Sequence, residues 1–400
     1  MTSRHRIAVA AAVLAAAGPA SAAAAAPPQV PGAQAAIVVD ARDGTVMFAK
    51  RPDTERSIAS TTKLMTALLA LEEAEPGDVI TAPAYNALPA ESRINLAQGE
   101  DMTVQDLLEA LLLESANDAA VALAEGISGS REAFVEEMND RAAELGLDHT
   151  SYANPIGLDE PGNHSTARDL ATLARTLLRN SRFARIVDMP RATLESGIRL
   201  RVVENRNDLV AEYPWVSGVK TGYTLNAGNV LVGAAERGRG ARVVSVVLGE
   251  PTEAARDAET LTLLRWGLAR FSRVRVVDRG RALARADVEH RDESARLVPR
   301  RGVVVTVREG QRLRRRVNAP DELKGPLAVG ERVGSVTVLV DGKRVRRVAL
   351  VTAADVPGAG TFRVLISVLG VPLTLLIALA ILVAVILAML RVRIRFRIAK

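Results

Sequence analysis

A serine and a lysine three residues apart stand at the beginning of an apolar, helix-like stretch of this chain. Ser60 and Lys63 open residues 60–74, where apolar residues recur at helical spacing. An i, i+3 spacing places both side chains on one face of a helix. A serine hydroxyl is a weak nucleophile until a base takes its proton, and a lysine can be that base if burial or another cation lowers its pKa. Taken alone, such a pair is more often explained by a helix cap beside an exposed lysine.

Two further groups of polar residues change that balance. Residues 115–117, Ser-Ala-Asn, fall between two helical stretches, where a serine often caps a helix. Residues 220–222, Lys-Thr-Gly, end a strand-like run. A charge, a hydroxyl donor and a glycine that admits close backbone approach suit a substrate carboxylate. In this order, S-x-x-K, S-x-N and K-T-G form the set described for penicillin-interacting serine enzymes.

The chain therefore resembles the serine-type D-alanyl-D-alanine carboxypeptidases, the low-molecular-mass penicillin-binding proteins of peptidase family S11. The resemblance covers roughly residues 35–355, and segments 154–158, 164–169 and 222–228 also contribute to it. It implies an α+β chain that begins with a β-lactamase/transpeptidase-like catalytic domain, an antiparallel sheet flanked by helices. A small all-β domain and one C-terminal transmembrane helix are expected to follow.

The resemblance also implies a role for each motif residue. Ser60 is expected to be acylated, Lys63 to act as the general base and Ser115 to relay a proton. The family's oxyanion hole corresponds to the backbone N–H groups of Ser60 and Tyr223. The residues expected to bind substrate are Asn117 on its backbone, Lys220 through its field, Thr221 on its terminal carboxylate, and Gly222 and Tyr223.

The hypothesis that follows is a two-step removal of the terminal D-alanine from peptidoglycan stem pentapeptides. Ser60 attacks the carbonyl between the two D-alanines, and water then hydrolyses the acyl-enzyme. The expected partners are peptidoglycan stem peptides, β-lactams as covalent inhibitors and the cytoplasmic membrane. No cofactor, metal or nucleic acid is expected.

Several other functions remain open at this point. D,D-endopeptidation or transpeptidation would use the same acyl-enzyme and differ only in the acceptor. A β-lactamase shares the three motifs, but the sequence around Glu160 does not resemble the deacylating glutamate motif of class A enzymes. A non-catalytic β-lactam sensor is disfavoured because only about ten residues follow Leu390. His164 is interpreted as a loop histidine, and the absence of H-E-x-x-H disfavours a zinc peptidase.

The elements that must position these residues can be read from periodicity. Residues 36–40 and 45–49 read as strands joined by a turn containing Asp43-Gly44. Thr103 and Asp106 form a capping pair for a helix that runs toward Ser115. Further helices are expected at residues 119–125, 131–145, 166–179 and 252–271, and strands at 219–223, 229–234 and 243–248. This order indicates one sheet flanked by helices over residues 35–271.

After Ser272 the pattern changes to short alternations of valine and arginine. Strands are expected at residues 303–307, 333–340 and 345–351, the last two joined through Asp341-Gly342. Residues 272–355 are therefore predicted to form the small all-β domain.

Both ends of the chain carry export and membrane signals. Residues 1–22 combine early arginines, an apolar run and the small-residue site Ala20-Ser21-Ala22, a pattern typical of a signal peptide. Residues 364–390 contain no charge and, at ~1.5 Å each, are long enough to cross a ~30 Å hydrocarbon core with a tilt or a kink near Pro372. Residues 391–400 are a basic tail expected in the cytoplasm, so the catalytic domain would lie on the extracytoplasmic side of the membrane as a single-pass protein. Residues 23–34 and 356–363 are linkers.

Charge is distributed unevenly along the chain. The formal net charge is +6, yet residues 27–270 sum to about −11 and residues 271–355 to about +9. A basic module beside an anionic lipid surface or wall polymer accounts for this, and merely solvated arginine-rich strands account for it equally well. The chain has no cysteine, which excludes a thiol nucleophile and leaves stability to the core.

Overall fold

The computed structural model describes residues 26–238 and 240–398. The chain divides after Phe271 into two compact units. The predicted signal peptide, residues 1–22, lies outside the described residues.

The first unit contains nine strands and eight α-helices within its described residues. In chain order they are β1 (Ala35–Asp40), β2 (Val46–Lys50), α1 (Lys63–Glu73), β3 (Val79–Thr81), β4 (Asp101–Thr103), α2 (Val104–Glu109), α3 (Asn117–Ser128), α4 (Arg131–Glu144), α5 (Ala167–Leu177), α6 (Ser181–Val187), β5 (Arg191–Leu194), β6 (Arg201–Glu204), α7 (Leu209–Glu212), β7 (Val216–Thr224), β8 (Gly228–Arg237), β9 (Ala241–Glu250) and α8 (Glu253–Ala269). A 3₁₀ turn, Ala59–Thr62, precedes α1, and a π-helical turn, Ala110–Glu114, extends α2.

A five-stranded antiparallel sheet in the order β2-β1-β9-β8-β7 forms the centre of this unit. Both faces are covered, since Ile37 of β1 packs in the core on the side of α1 while its neighbour Val38 packs in the core on the side of α8. Burial on both faces explains why the central strands read as unbroken apolar runs. The predicted sheet flanked by helices is confirmed.

The second unit contains the remaining described elements. They are β10 (Phe271–Val277), β11 (Ala284–Val288), β12 (Ser294–Pro299), β13 (Val303–Arg308), β14 (Leu313–Asn318), β15 (Glu322–Leu323), β16 (Arg332–Val340), β17 (Lys343–Thr352), α9 (Thr361–Leu369) and α10 (Val371–Ile398). Strands β10 and β13 pair with each other, and the other six form a sheet in the order β14-β16-β17-β12-β11-β15. The predicted hairpin between β16 and β17 is present, with Asp341 and Gly342 both at positive φ as a two-residue hairpin turn requires.

The apolar segment near the end of the chain is not the single helix over residues 364–390 that its composition suggested. It breaks at Gly370, which has a φ of +78°, so that α9 ends at Leu369 and α10 begins at Val371. Glycine tolerates this left-handed φ because it has no Cβ, and Pro372 fits the first turn of a helix. Residues Val371–Met389 are the one stretch of the described chain that is long and apolar enough to cross a membrane, with a mean hydropathy of 3.0.

Candidate active site

Ser60 and Lys63 are in direct contact. Ser60 lies in the 3₁₀ turn and Lys63 begins α1, so the i, i+3 spacing places the Lys63 Nζ 3.1 Å from the Ser60 Oγ. The ammonium group also donates to the Ile156 carbonyl oxygen at 2.6 Å. Lys63 is completely buried. Burial, assisted by the charge of Lys220, holds the Lys63 pKa well below its ordinary value. An amine that loses its proton this readily can accept one from Ser60.

A glycine-containing loop packs against the Ser60 turn and supplies the carbonyl that holds Lys63. Gly157 has a φ of +86°, and a Cβ there would overlap the Ala59 carbonyl oxygen and lie 3.0 Å from the Ser60 nitrogen. The Asn154 Oδ1 accepts hydrogen bonds from the backbone N–H of Gly157 at 2.7 Å and of Ile156 at 3.2 Å. This turn aims the Ile156 carbonyl at Lys63. The loop was noticed in the sequence only as part of the family resemblance, without a role.

Ser115 and Asn117 lie where the π-helical turn meets α3. Ser115 ends that turn at a φ of +64° and is 5% exposed. Single π-helical turns of this kind often occur at functional sites. The Asn117 backbone N–H donates to the Ser92 carbonyl oxygen at 2.8 Å, and its side-chain Nδ2 donates to the Glu91 Oε2 at 2.6 Å.

Glu91 is a carboxylate that the sequence motifs did not indicate. Burial raises its pKa, but hydrogen bonds from Tyr85 and Asn117, with the charge of Lys63, outweigh burial, and the net pKa lies below the ordinary value. In turn, the negative charge of Glu91 favours the protonated form of Lys63. Glu91 thus connects the S-x-N motif to the base.

Lys220, Thr221 and Gly222 lie on β7, one of the two edge strands of the five-stranded sheet. Lys220 is 1% exposed, and its Nζ donates to the Thr221 carbonyl oxygen at 3.0 Å. A Cβ on Gly222 would lie 2.9 Å from the Ser60 backbone nitrogen, so β7 passes directly against the 3₁₀ turn Ala59–Thr62, called the nucleophile turn from here on. Tyr223 is 59% exposed. Hence the K-T-G motif and Ser60 share one site because glycine permits contact between their backbones.

Two arginines from distant segments add positive charge around Lys220. Burial, together with repulsion from Arg206 and Arg256, lowers the Lys220 pKa to about 7. Arg256, on α8, is 3% exposed and pairs with Asp257 at 2.9 Å. Arg206 pairs with Glu114 at 2.5 Å. An anionic group of a substrate beside Lys220 would favour the protonated form of this lysine. Neither arginine belongs to a motif, so the sequence offered no signal for them.

Among the residues that the structure describes, Lys63 to Ser60 is the only hydrogen bond between two side chains of the predicted set. The S-x-N motif is linked to this pair through Glu91, which accepts a hydrogen bond from Asn117. The K-T-G motif is linked to it through the repulsion between Lys220 and Lys63 and through the close approach of Gly222 to Ser60.

His164 lies apart from this arrangement. Its Nε2 is 3.6 Å from the Glu55 Oε2, and its backbone pairs with Ser151. Glu160 accepts a hydrogen bond from the Asn154 Nδ2 at 2.9 Å in an exposed loop. Within residues 26–238 and 240–398, no group of three His, Cys, Asp or Glu residues could hold a metal ion.

Comparisons with known proteins agree over most of the chain. Residues 21–252 match the family model for D-alanyl-D-alanine carboxypeptidase, and residues 271–358 match that for the penicillin-binding protein 5 C-terminal domain. The D-alanyl-D-alanine carboxypeptidase DacF of Bacillus subtilis is 31% identical over 82% of this chain and 87% of its own length. The crystal structure of penicillin-binding protein 5 from Haemophilus influenzae is 32% identical, with a TM-score of 0.59 over 83% of this chain and 99% of that one. The Streptomyces K15 DD-transpeptidase is 31% identical, with a TM-score of 0.57 over 61% of this chain and 99% of that one.

Proposed function

The chain belongs to the serine-type D-alanyl-D-alanine carboxypeptidases of peptidase family S11, and from this we propose that Ser60, Lys63 and Ser115 carry its acyl-transfer chemistry. The observation that supports this assignment most directly is the 3.1 Å contact of a fully buried lysine with the Ser60 hydroxyl. A lysine at the protein surface would stay protonated and could not act as a base near neutral pH.

Acylation begins when neutral Lys63 takes the Ser60 proton. The Ser60 Oγ attacks the carbonyl carbon between the two D-alanines, and the backbone N–H groups of Ser60 and Tyr223 stabilise the oxyanion. Ser115 relays a proton to the leaving amine, the C–N bond breaks and D-alanine departs. The relayed proton comes from protonated Lys63, which is then neutral again. Water attacks the ester carbonyl as Lys63 accepts one of its protons, and this proton passes to the Ser60 Oγ when the ester C–O bond breaks.

The substrate is held on either side of the nucleophile. Thr221 bonds the terminal carboxylate, and Lys220 provides positive potential that Arg206 and Arg256 reinforce. Asn117 donates its remaining amide N–H to the substrate backbone, since the other is held by Glu91. Gly222 lets the bound peptide and the strand lie close to Ser60. Penicillin acylates the same serine.

Transpeptidation is the second candidate, because the K15 relative is a DD-transpeptidase over the catalytic region. Both reactions pass through one acyl-enzyme and differ in whether water or an amine accepts the acyl group. Product analysis with an added amino-acid acceptor measures the partition between them.

Helix α10 is proposed to anchor the chain in the membrane. Its 19 apolar residues, Val371–Met389, span ~28 Å, close to the ~30 Å hydrocarbon core. The arginines after Leu390 favour a cytoplasmic end, which places the first unit and the strands of the second unit outside the cytoplasm. Digestion of intact spheroplasts with an added protease tests this topology, and full protection of both units would contradict it.

The site assignment is tested on the full chain in a mild detergent. The wild type should release D-alanine from a D-Ala-D-Ala pentapeptide, and mass mapping should find penicillin attached to Ser60. Ser60→Ala should lose both properties, whereas Ser57→Ala, a serine three residues before the motif, should keep them. A penicillin adduct on any other residue would refute the assignment.

A further inference from the structure

We propose that the sheet of the second unit presents a binding face for a phosphate-bearing polymer outside the membrane. Strands β14, β16 and β17 are neighbours, and their register aligns two rows of residues across the sheet. These rows are Arg314–Leu339–Arg344 and Arg316–Thr337–Arg347. The four arginines are called the arginine face below.

The arginine face is the outer side of the sheet. Alternate residues Val336 and Val338 of β16 are completely buried and pack with valines of β10 and β13. Because side chains alternate across a strand, Thr337 and Leu339 point away from that core, and the arginines aligned with them do the same. All four arginines are exposed.

Positive charge on this face is not neutralised by the second unit. Within its described residues, none of the four arginines forms an ion pair, and Arg347 donates only to the Ser335 hydroxyl, at 3.2 Å. The two rows contain no carboxylate. The nearby Asp341 is engaged with the Gln311 side chain at 3.0 Å and the Arg312 backbone N–H at 2.8 Å.

Spacing and residue type favour repeated phosphates. Arg314 and Arg316 are two residues apart, which is ~7 Å along a strand, and β14 and β17 are separated by two strand spacings of ~4.8 Å. A flexible polymer with one phosphate every few bonds can meet several guanidinium groups at once on such a grid. Guanidinium groups also pair with phosphate oxygens in a bidentate manner.

The path of the chain favours a polymer over the lipid surface, and this step rests on the proposed anchoring by α10. Val356, on the way to the anchor, is buried against Val288 of β11 and Leu323 of β15. The Ser367 hydroxyl of α9 lies 2.6 Å from the His290 Nδ1, next to β11. Since β14 lies four strand spacings from β11 and β17 lies two, the arginines of the face are ~19 Å (β14) and ~10 Å (β17) from this exit across the sheet.

The two arginine rows are also distant, along β17, from the end of this strand at which the chain leaves toward the proposed anchor. The strand ends at Thr352, and Arg347 and Arg344 precede that end by five and eight residues, or ~17 and ~27 Å. The field of anionic lipids decays over a Debye length of ~8 Å at physiological salt. The arginine face therefore lies outside the reach of the lipid charge.

The test uses the full chain in phosphatidylcholine nanodiscs and fluorescein-labelled inorganic polyphosphate as the probe, with binding followed by anisotropy. One variant replaces the arginine face: R314Q, R316Q, R344Q and R347Q. A control of equal charge replaces four other exposed arginines of the second unit that have no ion pair in the described residues: R273Q, R279Q, R281Q and R301Q. We expect the face variant to bind at least about tenfold more weakly and the control to stay close to wild type, with wild-type affinity falling as salt rises.

Equal weakening in both variants would overturn the proposal, because only net charge would then matter. Absence of polyphosphate binding by the wild type would also overturn it. A second arm maps phenylglyoxal modification of the four arginines in nanodiscs containing phosphatidylglycerol. Protection by anionic lipid would assign the face to the membrane instead. D-alanine release from a soluble pentapeptide, measured on all three proteins, reports separately on the catalytic proposal.

Discussion

Gly222→Ala provides the sharpest test of the site geometry. An added Cβ would lie 2.9 Å from the Ser60 backbone nitrogen and 3.0 Å from the Ala59 Cβ, whereas ordinary contacts begin at 3.4 Å. The φ of Gly222 is not in the left-handed region, so alanine meets no backbone strain and the effect is steric. The nucleophile turn must retreat by roughly 0.5 Å, and a displacement of ~1 Å costs on the order of 10²-fold in rate.

Ser60 is displaced together with its backbone N–H, which is proposed to stabilise the oxyanion. Loss of one such donor costs ~10²–10³-fold. We therefore expect the kcat/KM for D-alanine release, and the rate of penicillin acylation, to fall by about 10- to 10³-fold in Gly222→Ala.

A matched control lies on the neighbouring strand. Gly233→Ala on β8 adds a Cβ 3.0 Å from the Thr260 Cγ2 of α8 and 3.1 Å from the Ser245 Oγ of β9, both of which are side-chain atoms. Both variants should lose ~1–3 kcal/mol of stability from overpacking, but only Gly222→Ala should lose activity. Stopped-flow acylation and thermal melts measure both quantities. Wild-type acylation in a folded Gly222→Ala protein would refute the idea that close backbone approach positions the nucleophile.

The remaining predictions concern charged groups that are buried or partly buried. Burial, with repulsion from Glu259, raises the Glu250 pKa to about 8 against an ordinary 4.5, so the folded state retains a proton that the unfolded state has lost and stability falls as pH rises from about 4.5 to about 8. Glu250→Gln should therefore raise the melting temperature by roughly 2–6 °C at pH 8.5 and leave it unchanged at pH 4. Equal shifts at both pH values would contradict this. Arg201 binds Glu100 through two hydrogen bonds of 2.7 and 2.9 Å, and both residues are buried. Arg201→Met should lower the free energy of unfolding, measured with urea, by ~3–5 kcal/mol, and adding Glu100→Leu should recover part of that loss. Glu91→Gln removes a charge that favours protonated Lys63, so the acid limb of the pH profile for penicillin acylation should move to lower pH, and movement to higher pH would refute this electrostatic role.

Long, strongly periodic segments were predictable from the sequence, and short ones were not. The central strands and the helices α1, α3, α4, α5 and α8 follow from apolar spacing. The predicted cap of α2 is present, with the Thr103 Oγ1 accepting from the Asp106 N–H at 3.2 Å. The short elements β3 to β6, α6 and α7 were missed because they contain only three to seven residues, too few to show a recognisable strand or helix periodicity of apolar residues. A kink near Pro372 was expected as one possibility, but the division into two helices at Gly370 was not, because composition alone does not reveal where a helix ends.

The sequence by itself determined that Ser60 and Lys63 lie on one face of the helix start, because an i, i+3 relation is local. It also determined the order of the three motifs and hence the reaction class. Only the tertiary structure decided that Lys63 is buried, that Ile156 and Glu91 contact this site, and that Arg206 and Arg256 surround Lys220. These relations join residues far apart in the chain, and they depend on packing across the sheet rather than on any spacing along it.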